Sequence, residues 1–87
     1  MPEVLHELKI WPEFLEPKLA GVKPWEYRNN DRGYAVGQLV LFREWDPVQG
    51  RYTGRAYGPC RITYMLPARH RVIFTHTEQE VPHVPDH

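Results

Sequence analysis

Residues 38–45 read QLVLFREW, and their alternation sets the fold. Successive side chains of an extended chain point to opposite faces, so Leu39, Leu41, Arg43 and Trp45 share one side and Val40, Phe42 and Glu44 the other. This is the strongest strand signal in the chain. Asp46-Pro47 and Gln49-Gly50 follow it as a turn. Tyr52 and Thr53 restart pairing, which predicts a hairpin arm. Further on, Cys60, Ile62, Tyr64 and Leu66 recur at period two over 58–66, and Pro67 ends the run. The segment RVIFTH, 71–76, predicts a last strand. The remainder, TEQEVPHVPDH, has two prolines and little apolar content and reads as a tail.

Upstream of the same segment, LHELKI (5–10) alternates as a short half-buried strand. Trp11-Pro12 ends it, since a residue before proline avoids the helical region. PEFLEPKLA (12–20) predicts a helix with Pro12 in the first turn and Glu13 at its positive end. Phe14, Leu15 and Leu19 form the expected apolar stripe. Pro17 makes the helix short or kinked, and Gly21 is a natural stop. Over 24–29, Trp25, Tyr27 and Asn29 alternate with Glu26 and Arg28, and Asn29-Asn30-Asp31 with Gly33 marks a turn, where Asp31 is expected to accept from backbone amides. Five short strands and one early helix predict a mainly β (α+β) domain with one or two short helices. Strands this short, joined mostly by turns, favour a small closed or nearly closed barrel. The expected boundaries are a domain over 4–77 and a flexible tail over 78–87.

The chain has 87 residues, enough for one domain with a thin stability margin. Lys plus Arg and Asp plus Glu both number 11, so formal net charge is zero. The charge is uneven: residues 43–71 hold six arginines against Glu44 and Asp46. Arginine outnumbers lysine eight to three, and arginine suits bidentate phosphate contact and stacking on bases. The plainer alternative is that these arginines solvate hairpins and sheet edges. One cysteine, Cys60, excludes an internal disulfide, and no apolar run is long enough to span a membrane. The N-terminus has no basic-then-apolar leader, so the expected address is the cytoplasm. The spacing of His6, His70, His76, His83 and His87 matches no metal-ligand template, so no metal and no cofactor is expected.

Gly21, Lys23, Glu26 and Arg28 form a Gly-x-Lys-x-x-Glu-x-Arg pattern. It resembles the signature of ASCH domains, small members of the PUA-like barrel superfamily. The likeness runs over residues 5–66 and includes Asn-Asp-Arg at 30–32, Arg-Glu-Trp-Asp-Pro at 43–47, GRYTGR and RITYML. It is similar to a compact phage and bacterial branch of ASCH-like proteins of unknown function. The resemblance implies a PUA-like barrel of five to six strands, a cleft beside the helix lined by the signature residues, and binding of RNA. Some ASCH relatives are hydrolases that remove an acyl group from a modified cytidine, using the signature lysine and a threonine three residues later. Lys23 matches the lysine here, but Glu26 stands where the threonine would be.

Three functions follow as expectations. The first is a module that binds RNA or a nucleotide, with Lys23, Glu26, Arg28 and Arg32 on the ligand, Arg51 and Arg55 on the phosphate backbone, and Trp45 as an exposed stacking ring. The second is a small amidohydrolase acting on an N-acylated nucleoside, with Lys23 and Glu26 as the reacting pair. The third is a non-catalytic phage or host accessory protein whose charged cluster is structural and whose partner is another protein. The sequence leans away from an enzyme: serine is absent, and Thr53, Thr63, Thr75 and Thr77 sit in no catalytic motif. Trp25 or Tyr27 is expected to be at least half buried. His6 is expected as a satisfied structural histidine, and Cys60 as a small core residue.

Overall fold

The computed structural model describes residues 3–80. In chain order they form β1 (Leu5–Ile10), α1 (Pro12–Leu19), β2 (Trp25–Asn29), β3 (Leu39–Asp46), β4 (Arg51–Pro67) and β5 (Arg71–His76). The inward side of each strand follows the alternation. His6, Leu8 and Ile10 are buried on β1, Val40, Phe42 and Glu44 on β3, and Val72, Phe74 and His76 on β5. Together with Leu15, Tyr34, Tyr57, Cys60 and Ile62 their apolar members make one core.

The strands form one five-stranded sheet in the order β1-β3-β4-β5-β2. β4 is its spine. Its first half pairs antiparallel with β3, from Asp46↔Arg51 to Leu39↔Arg61, and its second half with β5, from Ile62↔His76 to Pro67↔Val72. The hairpin arm and the 58–66 strand expected from the sequence are thus one continuous strand. Gly54, Gly58 and Pro59 interrupt the side-chain alternation without ending the pairing. At Gly58 the backbone takes φ +127°, and a Cβ there would lie 2.8 Å from the Val40 carbonyl oxygen. Only glycine allows β3 and β4 to approach so closely at this point.

The expected barrel does not close. β1 and β2 are the two edges of the sheet, and they do not pair with each other. Two arginine side chains span the gap instead: Arg28 Nη2 donates to the Lys9 carbonyl and Arg32 Nη1 to the Glu7 carbonyl, each at 3.0 Å. Guanidinium groups thus satisfy edge carbonyls of β1 that a neighbouring strand would otherwise take.

Helix α1 connects β1 to β2 across this gap. Its first turn has Pro12 and Glu13, as expected. Its end is a Schellman arrangement, with Gly21 at φ +76°, Gly21 N–H on the Lys18 carbonyl and Val22 N–H on the Pro17 carbonyl, each at 3.0 Å. The expected apolar stripe is corrected. Phe14 and Leu19 are exposed, and the buried face is Leu15 with Lys18. The tail expected from 78 onward falls partly on residues 81–87, outside the described residues. Glu80, within them, donates its N–H to the Pro59 carbonyl at 2.7 Å and pairs with Arg61 at 2.9 Å.

Candidate functional site

On β2 the alternation turns Glu26 inward and leaves Trp25 and Tyr27 on the outer face, 44% and 52% exposed. The inward slot of this edge strand therefore holds a carboxylate, with a side chain only 6% exposed. An isolated buried charge is costly, so it needs partners. Arg28, two residues along the same face, donates from Nε to Glu26 Oε2 at 2.8 Å. Lys18 approaches from α1 with a fully buried side chain, its Nζ 3.0 Å from Glu26 Oε1.

Lys18 is nonetheless committed elsewhere. An ammonium has three hydrogens. They go to the Trp25 carbonyl at 3.0 Å, the Lys23 carbonyl at 3.2 Å and His76 Nε2 at 2.9 Å. Glu26 Oε1, which has no accessible surface, shares the Lys18 ammonium with these three acceptors as a buried ion pair. His76 contacts the Thr77 carbonyl through Nδ1 at 2.7 Å. A carbonyl can only accept, so the proton sits on Nδ1, Nε2 accepts from Lys18, and the ring is neutral.

The titration behaviour follows from this geometry. Burial pulls Lys18 below its ordinary value, and Glu26 offsets part of that. Burial pushes the Glu26 carboxyl up, but Lys18 and Arg28 outweigh it and hold the carboxyl below the usual range. Burial lowers His76; the Thr77 carbonyl opposes this and the Lys18 charge reinforces it. At neutral pH the cluster is therefore an ammonium, a carboxylate and a neutral imidazole.

An open cleft of about 400 Å³ lies over Glu26, where the edges of β1 and β2 part. Its size is that of a small-molecule site. Lys9 and Ile10 of β1, Trp11 and Phe14 at the start of α1, Lys23, the β2 residues Glu26 to Asn29, and Arg71 of β5 form its walls. Three of its cations rest on aromatic rings. Lys9 Nζ is 3.8 Å from the Trp45 ring centre, Lys23 Nζ lies 5.1 Å from Phe14 and 4.9 Å from Trp25, and the Arg71 guanidinium is 4.9 Å from Tyr27. None of the three donates a side-chain hydrogen bond among the described residues; Lys23 comes only within 3.9 Å of Glu26 Oε1. Their N–H groups remain available to an acceptor from outside.

The structure thus brings Lys23, Glu26 and Arg28 together on one cleft, and it keeps the other expected site residues away from it. Arg32 spans to β1 and lies 3.9 Å from Asp31, whose carboxylate accepts no backbone amide among the described residues. Arg55 donates from Nη2 to Glu16 at 2.6 Å and to Glu44 at 2.8 Å. Hydrogen bonds from Arg55 and Thr53 hold the inward-facing Glu44 carboxyl below its usual range. Arg51 lies on the β3–β4 hairpin beside a second hollow. Trp45 is half-buried rather than exposed, edge-on to Tyr52 and beneath Lys9. His6 is satisfied by Gln38 Oε1 at 2.7 Å. Burial pushes the Cys60 thiol up to about 11. The described residues contain no metal-binding cluster, and His83 and His87 lie outside them. No described helix is long and apolar enough to cross a membrane.

Two central residues were not singled out from the sequence. His76 had a readable signal: the period-two run Val72, Phe74, His76 turns it inward. Lys18 had a weaker one, its place one turn after Leu15 on the helix face toward the sheet.

Similarity to known proteins is consistent with this picture without assigning it a task. The chain is 39% identical over 51 residues to the "Uncharacterized 12.9 kDa protein in GpA 3'region" of Escherichia phage P2. That match covers 59% of this chain and 45% of the phage protein, so the chain spans less than half of its relative. The model of the family described as "Domain of unknown function (DUF3850)" matches residues 5–78, which takes in every strand, the helix and the cleft, and the chain belongs to that family.

Proposed function

We propose that the cleft over Glu26 binds a nucleotide, free or as part of RNA, in the manner of an ASCH-type, PUA-like domain. One observation carries the reading. A largely buried carboxylate, Glu26, lines a cleft walled by exposed aromatic rings and by three cations, Lys9, Lys23 and Arg71, that no carboxylate claims through a hydrogen bond. Each part has a counterpart in a nucleotide. The exposed edge of the Glu26 carboxylate accepts from an exocyclic amino or imino group of a base, Trp11 or Phe14 offers a stacking face, and Lys9, Lys23 and Arg71 donate to phosphate. The convergence of Lys23, Glu26 and Arg28 supports the wider ASCH relation.

The hydrolase reading has less support. Glu26 is held as a carboxylate by Lys18 and Arg28, and neither serine nor threonine lines the cleft. The test is a titration of the four nucleoside monophosphates and a short RNA, followed by amide chemical shifts. Shifts are expected at Lys9, Trp11, Glu26 to Asn29 and Arg71. Arg71→Ala is expected to weaken binding about tenfold, and Glu26→Gln to change the base preference. A protein that is folded yet unresponsive to all of these ligands at millimolar concentration overturns the proposal. Release of acetate from acetylated cytidine, lost in Lys23→Ala, replaces it with the hydrolase.

A further inference from the structure

The outer face of β2, β5 and the second half of β4 is unusual for a sheet with solvent on that side. Register places Trp25 opposite Thr75 and Thr75 opposite Tyr64; the next row is Tyr27, Ile73 and Leu66. Trp25, Tyr27, Tyr64, Leu66 and Ile73 are all exposed, Tyr64 by 62%. A contiguous apolar patch on an exposed sheet calls for an occupant. The charge at its edge identifies one. Arg71 sits over the Tyr27 ring, Lys23 over the Trp25 ring, and no outward position of these strands is acidic. Tyr27 and Arg71 also line the cleft, so patch and cleft form one continuous surface that turns around the edge strand β2.

We infer that this face is a stacking platform for a single nucleic-acid strand, so that a nucleotide seated over Glu26 is followed by neighbours lying on Tyr27, Trp25 and Tyr64. Aromatic rings on a sheet stack bases without regard to sequence, and cations beside them meet the phosphates. A second copy of the chain would find the same apolar area, but the acid-free, cationic margin repels its own like-charged counterpart. The inference rests on the nucleotide reading of the cleft and adds the class of ligand: a strand, not a free mononucleotide.

The experiment compares a nucleoside monophosphate with a short single-stranded RNA on the wild type, Tyr64→Ala, Tyr64→Phe and Leu66→Asp. Tyr64 and Leu66 lie outside the cleft and are exposed, so thermal melts are expected to stay close to wild type. The RNA is expected to bind at least tenfold tighter than the monophosphate. Tyr64→Ala is expected to lose about tenfold of the RNA affinity, Tyr64→Phe to keep it and Leu66→Asp to weaken it, with monophosphate affinity unchanged throughout. Monophosphate binding with no gain from chain length, or RNA affinity indifferent to Tyr64→Ala, overturns this inference and leaves the cleft reading standing. A change in sedimentation mass on Leu66→Asp, with RNA affinity intact, assigns the face to self-association and overturns it as well. No binding of either ligand overturns both readings.

Discussion

Lys18 has three hydrogens to give and four acceptors within reach: two carbonyls, His76 Nε2 and Glu26 Oε1. The carboxylate is compensated by the Lys18 ammonium at Oε1 and by the Arg28 guanidinium at Oε2, and Lys18 is shared with three other acceptors. Lys18→Met keeps most of the buried stem and removes the charge, which leaves Glu26 with Arg28 and the more distant Lys23. Removing one partner of a buried pair typically costs about 3–5 kcal/mol, most of the margin of so small a domain. Urea titration is expected to find Lys18→Met largely unfolded, and Lys18→Met with Glu26→Gln to recover part of the loss; a single variant within 1 kcal/mol of wild type contradicts the account.

The same cluster sets a pH dependence. His76 and Glu26 both titrate lower in the folded chain than in the unfolded one, so the unfolded state binds more protons and stability is lost as the pH is lowered. The loss begins below the ordinary imidazole value of about 6.5 with His76 and deepens below about 4.3 as the unfolded chain takes up the Glu26 proton. Urea midpoints measured at pH 7.5, 5.5 and 4 are expected to decline in these two stages. His76→Gln, which preserves an acceptor for Lys18, is expected to remove the first stage only.

At the scale of elements, β1, β2, β3 and β5 were legible as short runs rich in aliphatic and aromatic residues, bounded by proline, glycine or Asn-Asp turn signals. The helix position was legible from Pro12 and Gly21, but its buried face was not. Periodicity pointed to Phe14, Leu15 and Leu19, whereas packing against the sheet chose Leu15 and a lysine. A charged residue at a buried position cannot be read from its own segment, since its partners Glu26 and His76 come from other strands. β4 was read in two pieces because its glycines and Pro59 mimic turn punctuation. Gly58 is where that strand is most constrained. Gly58→Ala combines a disfavoured backbone conformation with a contact to the Val40 carbonyl, at a cost of about 2–4 kcal/mol. Chemical denaturation is expected to find the loss, with β3–β4 amides exchanging faster; a neutral result contradicts the close approach of these strands.

For the molecule as a whole, the decisive feature is that the sheet stays open. A closed barrel would pair β1 with β2 along the seam where the cleft now lies. Lys23, Glu26 and Arg28 were singled out from the chain, yet the open seam depends on how Arg28 and Arg32 reach the carbonyls of β1, which short-range pattern does not encode. The expected phosphate-contacting arginines fared differently for a related reason. Arg55 found carboxylates across the fold and Arg51 stayed on the β3–β4 hairpin, while Lys9, Lys23 and Arg71 came to rest on rings. Net charge of zero therefore coexists with a cationic rim around one hollow.

Cys60 gives the fold a reporter of its own opening. It is the sole thiol of the chain, has no accessible surface and is protonated at neutral pH. A maleimide can reach it only in molecules that have come apart, so the mass shift counts excursions from the native state. With a margin of about 4 kcal/mol, labelling should run about a thousandfold slower in buffer than in urea, and any ligand that binds only the folded chain should slow it further by a factor of one plus the ratio of free ligand concentration to Kd.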